Sequence, residues 1–182
     1  MIQLTLLLRK ALGGDKAAEQ EAIALVYPEL KRIAARMAAL ESSDPSLSPT
    51  ILVSDFYTEK FRSPAGLPGN ITDRNHFFSI AARAMRQVLV DRARSRNAQK
   101  RQPVDPNFFQ RACTAISPET LLALEAALKR LELIAPQAAR VIELRYFLGS
   151  TVEETAKSLG ISTKQVRAEW DFARQWLESE LS

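Results

Sequence analysis

The sequence predicts an all-α protein made of two helical domains joined by a flexible linker. Apolar residues recur every three or four positions through most of the chain, as on one face of an amphipathic helix. No stretch shows the apolar–polar alternation that is typical of a strand. A segment with two prolines and little periodicity separates the helical parts. We therefore expect domains at residues 1–100 and 118–182, with the linker at 101–117.

The composition limits the classes of function. The chain has 182 residues, a formal net charge of +4, 46% hydrophobic and 25% charged residues, which is typical of a soluble globular protein. Its single cysteine, Cys113, and single histidine, His76, exclude an internal disulfide and argue against a zinc site. The first apolar run is too short to cross a bilayer and lacks the features of a secretion signal, so we expect a cytoplasmic protein. No catalytic motif stands out, and neither an enzyme nor a cofactor is expected.

Four helices are predicted in the N-terminal part, each separated from the next by glycine, proline or a polar loop. Their approximate ranges are Ile2–Ala11, Asp15–Leu40, Thr50–Arg62 and Asp73–Gln99. The second helix should bury a face formed by Ile23, Val26, Leu30, Ile33 and Met37.

The fourth helix is strongly basic, with a single acid, Asp91, among its arginines. Such density suits phosphate contacts, because each neutralised phosphate releases counterions. Its start combines Arg74, Asn75 and His76 with Phe77 and Phe78. Exposed aromatic rings beside basic residues could stack on single-stranded bases, but the two phenylalanines could equally be core residues.

Four more helices are predicted after Ser117, which precedes proline and glutamate in the pattern of a helix start. Their approximate ranges are 118–131, 136–147, 152–159 and 162–181. The last two surround Gly160, which can end one helix in a left-handed conformation, and Ser162 or Thr163 can cap the next. This spacing is typical of a DNA-reading helix-turn-helix, although purely structural helix corners share it.

The last helix carries the predicted reading face of that motif. With Val166, Trp170, Ala173 and Leu177 turned to the core, the predicted outward and phosphate-holding residues are Thr163, Lys164, Arg167, Ala168, Asp171 and Arg174. Arg167 is the expected base reader, because arginine can bond guanine bidentately. Asp171 would repel phosphate, so we expect it to face a cytosine amino group or water.

The order of these features resembles a bacterial extracytoplasmic-function (group IV) sigma-70 factor over almost the full length. The resemblance rests on ELKRIAARMA, HFFSIAARAMRQVLVDRAR and VEETAKSLGIS followed by W…AR.WL. It implies a sigma2-like domain at 1–100, which binds the β′ clamp helices of core RNA polymerase and the promoter −10 element. It also implies a sigma4-like domain at 118–182, which binds the −35 element, and the β flap of the polymerase as a further partner of the chain.

The resemblance also implies roles for residues of the N-terminal domain. Residues expected at the −10 element are Arg74, Asn75 and His76 near the bases, with Arg83, Arg86 and Arg92 along the backbone. Residues expected to bind polymerase are Leu52, Val53, Asp55, Phe56 and Glu59.

The polymerase-docking helix departs from the family pattern. Typical members open this helix with an acidic cluster that complements basic residues of the clamp, whereas here the aligned positions read Ser48, Pro49, Thr50 and Ile51. Two explanations stay open. The chain could dock through apolar contacts and need no acidic cluster, or phosphorylation of Thr50, ahead of Ser48 and Ser54, by a Ser/Thr kinase could restore negative charge near the helix N-terminus.

Two other classes of protein remain open from the sequence. One is a two-domain helix-turn-helix regulator that acts on closed duplex, and the other is a helical adaptor for another protein. Co-elution with core polymerase and run-off transcription would separate a sigma factor from both. The sequence does not identify an anti-sigma factor.

Overall fold

The computed structural model describes residues 2–40, 46–61, 71–97 and 116–182, and no strand occurs among them. The all-α prediction is confirmed. The helices are α1 (Ile2–Leu12), α2 (Lys16–Leu40), α3 (Pro49–Phe56), α4 (Arg74–Asn97), α5 (Pro118–Ile134), α6 (Pro136–Ile142), α7 (Val152–Leu159) and α8 (Thr163–Leu181). π-helical turns at Tyr57–Phe61 and Glu143–Phe147 continue α3 and α6. No helix in these ranges is long and apolar enough to cross a membrane.

The chain divides into two compact units. Unit 1 comprises residues 1–38 and 47–88, and unit 2 comprises residues 39–46 and 89–182. This division falls within α4, before the boundary at residue 100 that the sequence suggests, and most of the predicted linker lies outside the described residues. Ile116, near the linker's end, is buried, and its N–H donates to the carbonyl oxygen of Leu40 at 2.8 Å.

Unit 1 is built around the apolar face of α2 and a cluster of aromatic rings. Of the predicted α2 core face, Ile23 is half-buried and the other four residues are buried. The Phe77 ring lies 6.1 Å from Phe56, 6.4 Å from Phe61 and 5.3 Å from Phe78, all in edge-on arrangements. Phe77 and Phe78 are therefore core residues in this structure, and neither ring is exposed to stack on a base.

Side chains fix the starts of the unit 1 helices. An oxygen of Asp15 accepts hydrogen bonds from the backbone N–H groups of Ala17 and Ala18, both at 3.0 Å, at the start of α2. The Ser48 hydroxyl accepts from the N–H of Ile51 at 3.2 Å and caps α3. These bonds satisfy N–H groups that have no partner within the helix.

Unit 2 packs α5, α6 and α8 around a common apolar core. Ser117 caps α5, as predicted, and its hydroxyl accepts from the N–H of Thr120 at 3.2 Å. The fully buried side chains of the unit include Leu124, Leu131, Ile142 and Leu177. An ion pair also joins Arg130 of α5 to Glu180 of α8.

Candidate nucleic-acid interface

The turn between α7 and α8 has the geometry of a helix-turn-helix. Gly160 ends α7 in the left-handed conformation, with φ 67° and ψ 31°, and the N–H of Ile161 donates to the carbonyl oxygen of Ala156 at 3.1 Å. Ser162 then caps α8: its hydroxyl accepts from the N–H of Gln165 at 3.1 Å, while the Gln165 side chain accepts from the Ser162 N–H at 3.0 Å. Of the two caps that the sequence offered, the structure uses Ser162.

A small apolar core holds the two helices of the motif together. Val141 of α6, Ala156 of α7 and Val166 of α8 are buried in contact with one another. The half-buried residues that pack against them are Val152, Leu159, Ile161 and Trp170. Since Val166 is fully buried, the opposite face of α8 is turned to solvent.

The predicted reading face of α8 is exposed to solvent, because it lies opposite the buried face of the helix. Its exposed residues are Thr163, Lys164, Arg167, Ala168 and Asp171. Arg174 differs: it is half-buried, and its Nε lies 3.9 Å from a carboxylate oxygen of Glu178. The five exposed residues therefore meet the first requirement for base contacts, whereas Arg174 is less available to hold a phosphate.

Arg145 is a candidate site residue that the sequence analysis missed. Its guanidinium carbon lies 4.4 Å from the centroid of the Trp170 ring, which is a cation–π contact. Burial lowers the pKa of Arg145, whereas the negative charges of Asp171 and Glu153 raise it and Arg167 lowers it further. Arg145 therefore lies among the charges of α7 and α8, beside the predicted reading face.

The exposed carboxylate of Asp171 is one of the negative charges that raise the pKa of Arg145. The expected contact of Asp171 with a cytosine amino group or water stays a prediction. Arg145 lies in the π-helical turn Glu143–Phe147. A regular 3.6-residue pattern does not fix the direction of a side chain in such a turn, so periodicity gave no signal for it.

At the start of α4, local hydrogen bonds hold the residues expected at the −10 element. Asp73 accepts the N–H of His76 at 2.9 Å, and the N–H of Thr72 donates to Nδ1 of His76 at 3.2 Å. His76 is half-buried and hydrogen-bonded to the residues at the start of α4, while Arg74 and Asn75 are exposed. The histidine is held in place by its neighbours and is less available for DNA than the two residues before it.

Arg74 is positioned by an aromatic ring and by charge. Its guanidinium carbon lies 5.0 Å from the centroid of the Phe78 ring. Glu29 of α2 binds Arg32 through two contacts, of 2.6 and 3.1 Å. The hydrogen bond to Arg32 is the main cause of a lowered Glu29 pKa; burial opposes it, and the charges of Arg32 and Arg74 add to it. Arg74 therefore belongs to a charged cluster on the surface of unit 1.

The arginines expected along the DNA backbone differ in exposure. Arg83 is exposed and Arg92 is half-buried, and both have interactions within the protein. Arg86 retains only 7% of its accessible surface and has interactions within the protein. The role predicted for Arg86 does not fit this structure, because its side chain lies on the core side of α4.

The polymerase-docking helix presents different residues from those expected. Leu52 and Phe56 are 0% exposed and Val53 is 5% exposed, so these side chains form core and cannot reach a partner. Of the other two predicted residues, Asp55 is half-buried and Glu59 is exposed. The sequence pattern predicts a helix here, but it does not determine which of the apolar residues are buried.

The exposed face of α3 carries Ile51 and the hydroxyl residues. Ile51 is 37% exposed, and Thr50 and Ser54 are also exposed. The first turn contains no acidic residue, and the Ser48 hydroxyl is occupied as the cap. Within the described ranges, no group of three or more His, Cys, Asp or Glu side chains is placed to hold a metal ion.

Comparison with known proteins shows the family of this chain. The family model described as ECF sigma factor matches residues 1–182. A solved structure, that of CnrH in complex with the cytosolic domain of CnrY, is similar at 19% sequence identity and a TM-score of 0.42, covering 97% of this chain and 96% of the other. No curated protein matches this chain.

Proposed function

Because this chain belongs to the ECF sigma factor family, we propose that it binds core RNA polymerase and directs it to promoter DNA through two surfaces. The observation that carries this proposal is the helix-turn-helix of α7 and α8, whose second helix presents Lys164, Arg167 and Ala168 to solvent. The N-terminal residues of such a helix enter the major groove. This motif would read the −35 element.

Arg167 is the main expected reader at that element. A bidentate arginine–guanine contact contributes about 1–3 kcal/mol of discrimination, so Arg167→Ala should lower promoter-specific binding by about that amount. The matched control is Arg140→Ala, which removes an exposed arginine of α6 in the same unit. Footprints of polymerase on promoter DNA should weaken for the Arg167 variant alone. An unchanged footprint would show that Arg167 does not read the element.

The −10 element would meet the start of α4. Arg74 and Asn75 are exposed there, and the next exposed arginine along the helix is Arg83. Since Phe77 and Phe78 are buried, recognition of a single-stranded base at this surface would depend on Arg74 and on hydrogen bonds rather than on those two rings. Arg86 is not part of this proposed surface.

Polymerase docking would use the exposed face of α3 and its π-helical continuation. This face consists of Ile51, Asp55 and Glu59, while the buried Leu52 and Phe56 fix its position on unit 1. Asp55 and Glu59 supply negative charge for the basic clamp of the polymerase, but the first turn of α3 supplies none. Docking of the unmodified chain should therefore be weak.

Phosphorylation of Thr50 would supply the missing charge. Thr50 is the second residue of α3 and is exposed, and a phosphate there would carry a charge of about −1.5 to −2 next to N–H groups at the helix start. Ser48 is a weaker candidate because its hydroxyl already caps the helix, and Ser54 lies near the helix's end, away from the positive end of the dipole. A Ser/Thr kinase would then control the sigma factor.

The test measures core polymerase binding by the full chain. Thr50→Glu should bind more tightly than wild type, whereas Thr50→Ala should bind as weakly as unmodified wild type and should not respond to a kinase. Gln20→Glu is the matched control, because it adds the same charge at an exposed residue of α2 in the same unit, outside the docking helix. Strong binding by unphosphorylated wild type, unchanged in Thr50→Ala, would contradict the switch and leave the sigma function intact. Failure of all variants to bind polymerase, with or without kinase, would contradict the sigma function itself.

A further inference from the structure

Phe172 is an exposed aromatic residue on α8 that no role described above explains. It is 46% exposed, whereas the two tryptophan residues of this helix, Trp170 and Trp176, are half-buried. A phenylalanine has no polar atom with which to bond water, so this exposure leaves apolar surface in solvent. A ligand that covers this ring would remove that apolar surface from water.

The position of Phe172 places it on the predicted reading face. Successive residues of a helix are separated by about 100°, so Phe172 lies about 40° around the helix from Ala168 and one turn further along it. Val166 and Ala173, which are fully buried, lie on the other side of α8. Ala168 and Phe172 therefore form an apolar stripe on the exposed face.

Basic residues flank the N-terminal end of this stripe. Lys164 lies one turn before Ala168, Arg167 lies beside it, and both are exposed. The exposed carboxylate of Asp171 also lies on this face, beside Phe172. A stripe with charged neighbours is unsuited to burial against an apolar protein surface, because the charged groups would have to lose their water. The same combination suits DNA, where phosphates bind the cations and the groove accommodates the apolar stripe.

The major groove offers one apolar group, the 5-methyl of thymine, and alanine and phenylalanine are side chains that contact it. We propose that Phe172, together with Ala168, contacts a thymine methyl group, so that Phe172 is a specificity-determining residue for the element that α8 reads. The small Ala168 side chain lets the helix backbone approach the bases, and the Phe172 ring extends over the next base pair. This inference rests on the proposed −35 recognition and adds a base preference to it.

The test removes the methyl group from the DNA and the ring from the protein, singly and together. Duplexes that bind the full chain are selected from a random pool, with the chain alone and with core polymerase, and each thymine of the selected element is then replaced by deoxyuridine. Loss of one buried methyl should weaken wild-type binding about fourfold at one position. Phe172→Ala should bind the thymine duplex about as weakly and should not respond to that replacement. Phe172→Leu, which keeps an apolar contact, should still respond.

A control variant removes an apolar side chain far from the reading face in sequence. Leu133→Ala removes an exposed apolar side chain of α5, 84% exposed, and should leave both affinity and methyl dependence unchanged. Equal deoxyuridine sensitivity in wild type and Phe172→Ala would overturn the inference, as would no sensitivity at any thymine in wild type. In both cases a selected element would still support −35 recognition. Selection of no element under either condition would instead contradict the proposed promoter recognition.

Discussion

Replacement of Gly160 by alanine tests the turn on which the reading face depends. Gly160 has φ 67°, in the left-handed region, and a Cβ built there has no heavy atom of a neighbouring group within 4 Å. The cost of Gly160→Ala is therefore conformational and includes no steric clash. An L-residue in this region costs about 1–2 kcal/mol. The reduced entropy of the unfolded chain offsets about 0.4–1 kcal/mol of that cost.

The net loss of unfolding free energy should thus be about 1 kcal/mol. For a unit of this size, that corresponds to a fall in Tm of about 4 °C. Circular dichroism of the full chain during thermal unfolding would measure it. Gly160→Asn is the control, and it should lose less because asparagine tolerates the left-handed region better than alanine does. Well below the melting temperature, both variants should keep the DNA affinity of wild type.

Two results would refute this reasoning. A Tm of Gly160→Ala above that of wild type would mean that residue 160 does not hold a left-handed conformation in solution, because only the reduced entropy of the unfolded chain would then act. A loss of more than about 3 kcal/mol would mean that the added methyl meets atoms that the structure places elsewhere, because the conformational cost alone cannot reach that value.

Two further predictions concern charged residues. Arg145→Ala should destabilise unit 2 by about 1 kcal/mol, because it removes the cation–π contact with Trp170, and Arg145→Lys should recover part of the loss. Tryptophan fluorescence during unfolding measures the stability of both variants. Equal stability of wild type and the two variants would contradict the contact. Glu29→Gln should lower stability at pH 7 by no more than about 0.5 kcal/mol, because the pair with Arg32 is partly exposed. Since the folded pKa of Glu29 is lowered, its contribution is present above the unfolded-state pKa and is lost as the pH falls through the folded pKa, so wild type and variant should converge in acid. A difference that persists once the Glu29 carboxyl is protonated in both states would contradict this assignment.

The helix-turn-helix shows how much of a site local sequence can specify. Gly160, the capping serine and the apolar spacing of α8 each act within a few residues, so their effects could be predicted without the rest of the chain. The exposure of Lys164 and Arg167 followed from the same register. The helices predicted in the described ranges are present, with ends that differ by a few residues, because capping and periodicity are also local signals.

The polymerase-docking helix shows where local signals end. This helix of eight residues contains four apolar residues, Ile51, Leu52, Val53 and Phe56. More than one rotation of the helix about its axis would bury some of them, so the pattern alone does not choose between these rotations. Neighbouring helices of unit 1 left Ile51 exposed and buried the other three. Of the residues expected to bind polymerase, only Asp55 and Glu59 are consequently available to a partner, and Ile51 joins them.

The sequence by itself determined the all-α class, the helix positions and the turn that presents α8, because each depends on interactions between residues close along the chain. Only the tertiary structure decided that Phe77 and Arg86 are buried and that Arg145 lies over Trp170 beside the charge of Asp171. Burial and charge pairing depend on which distant segments pack together. Helical periodicity identifies an apolar face, but it contains no information about which neighbouring element covers that face.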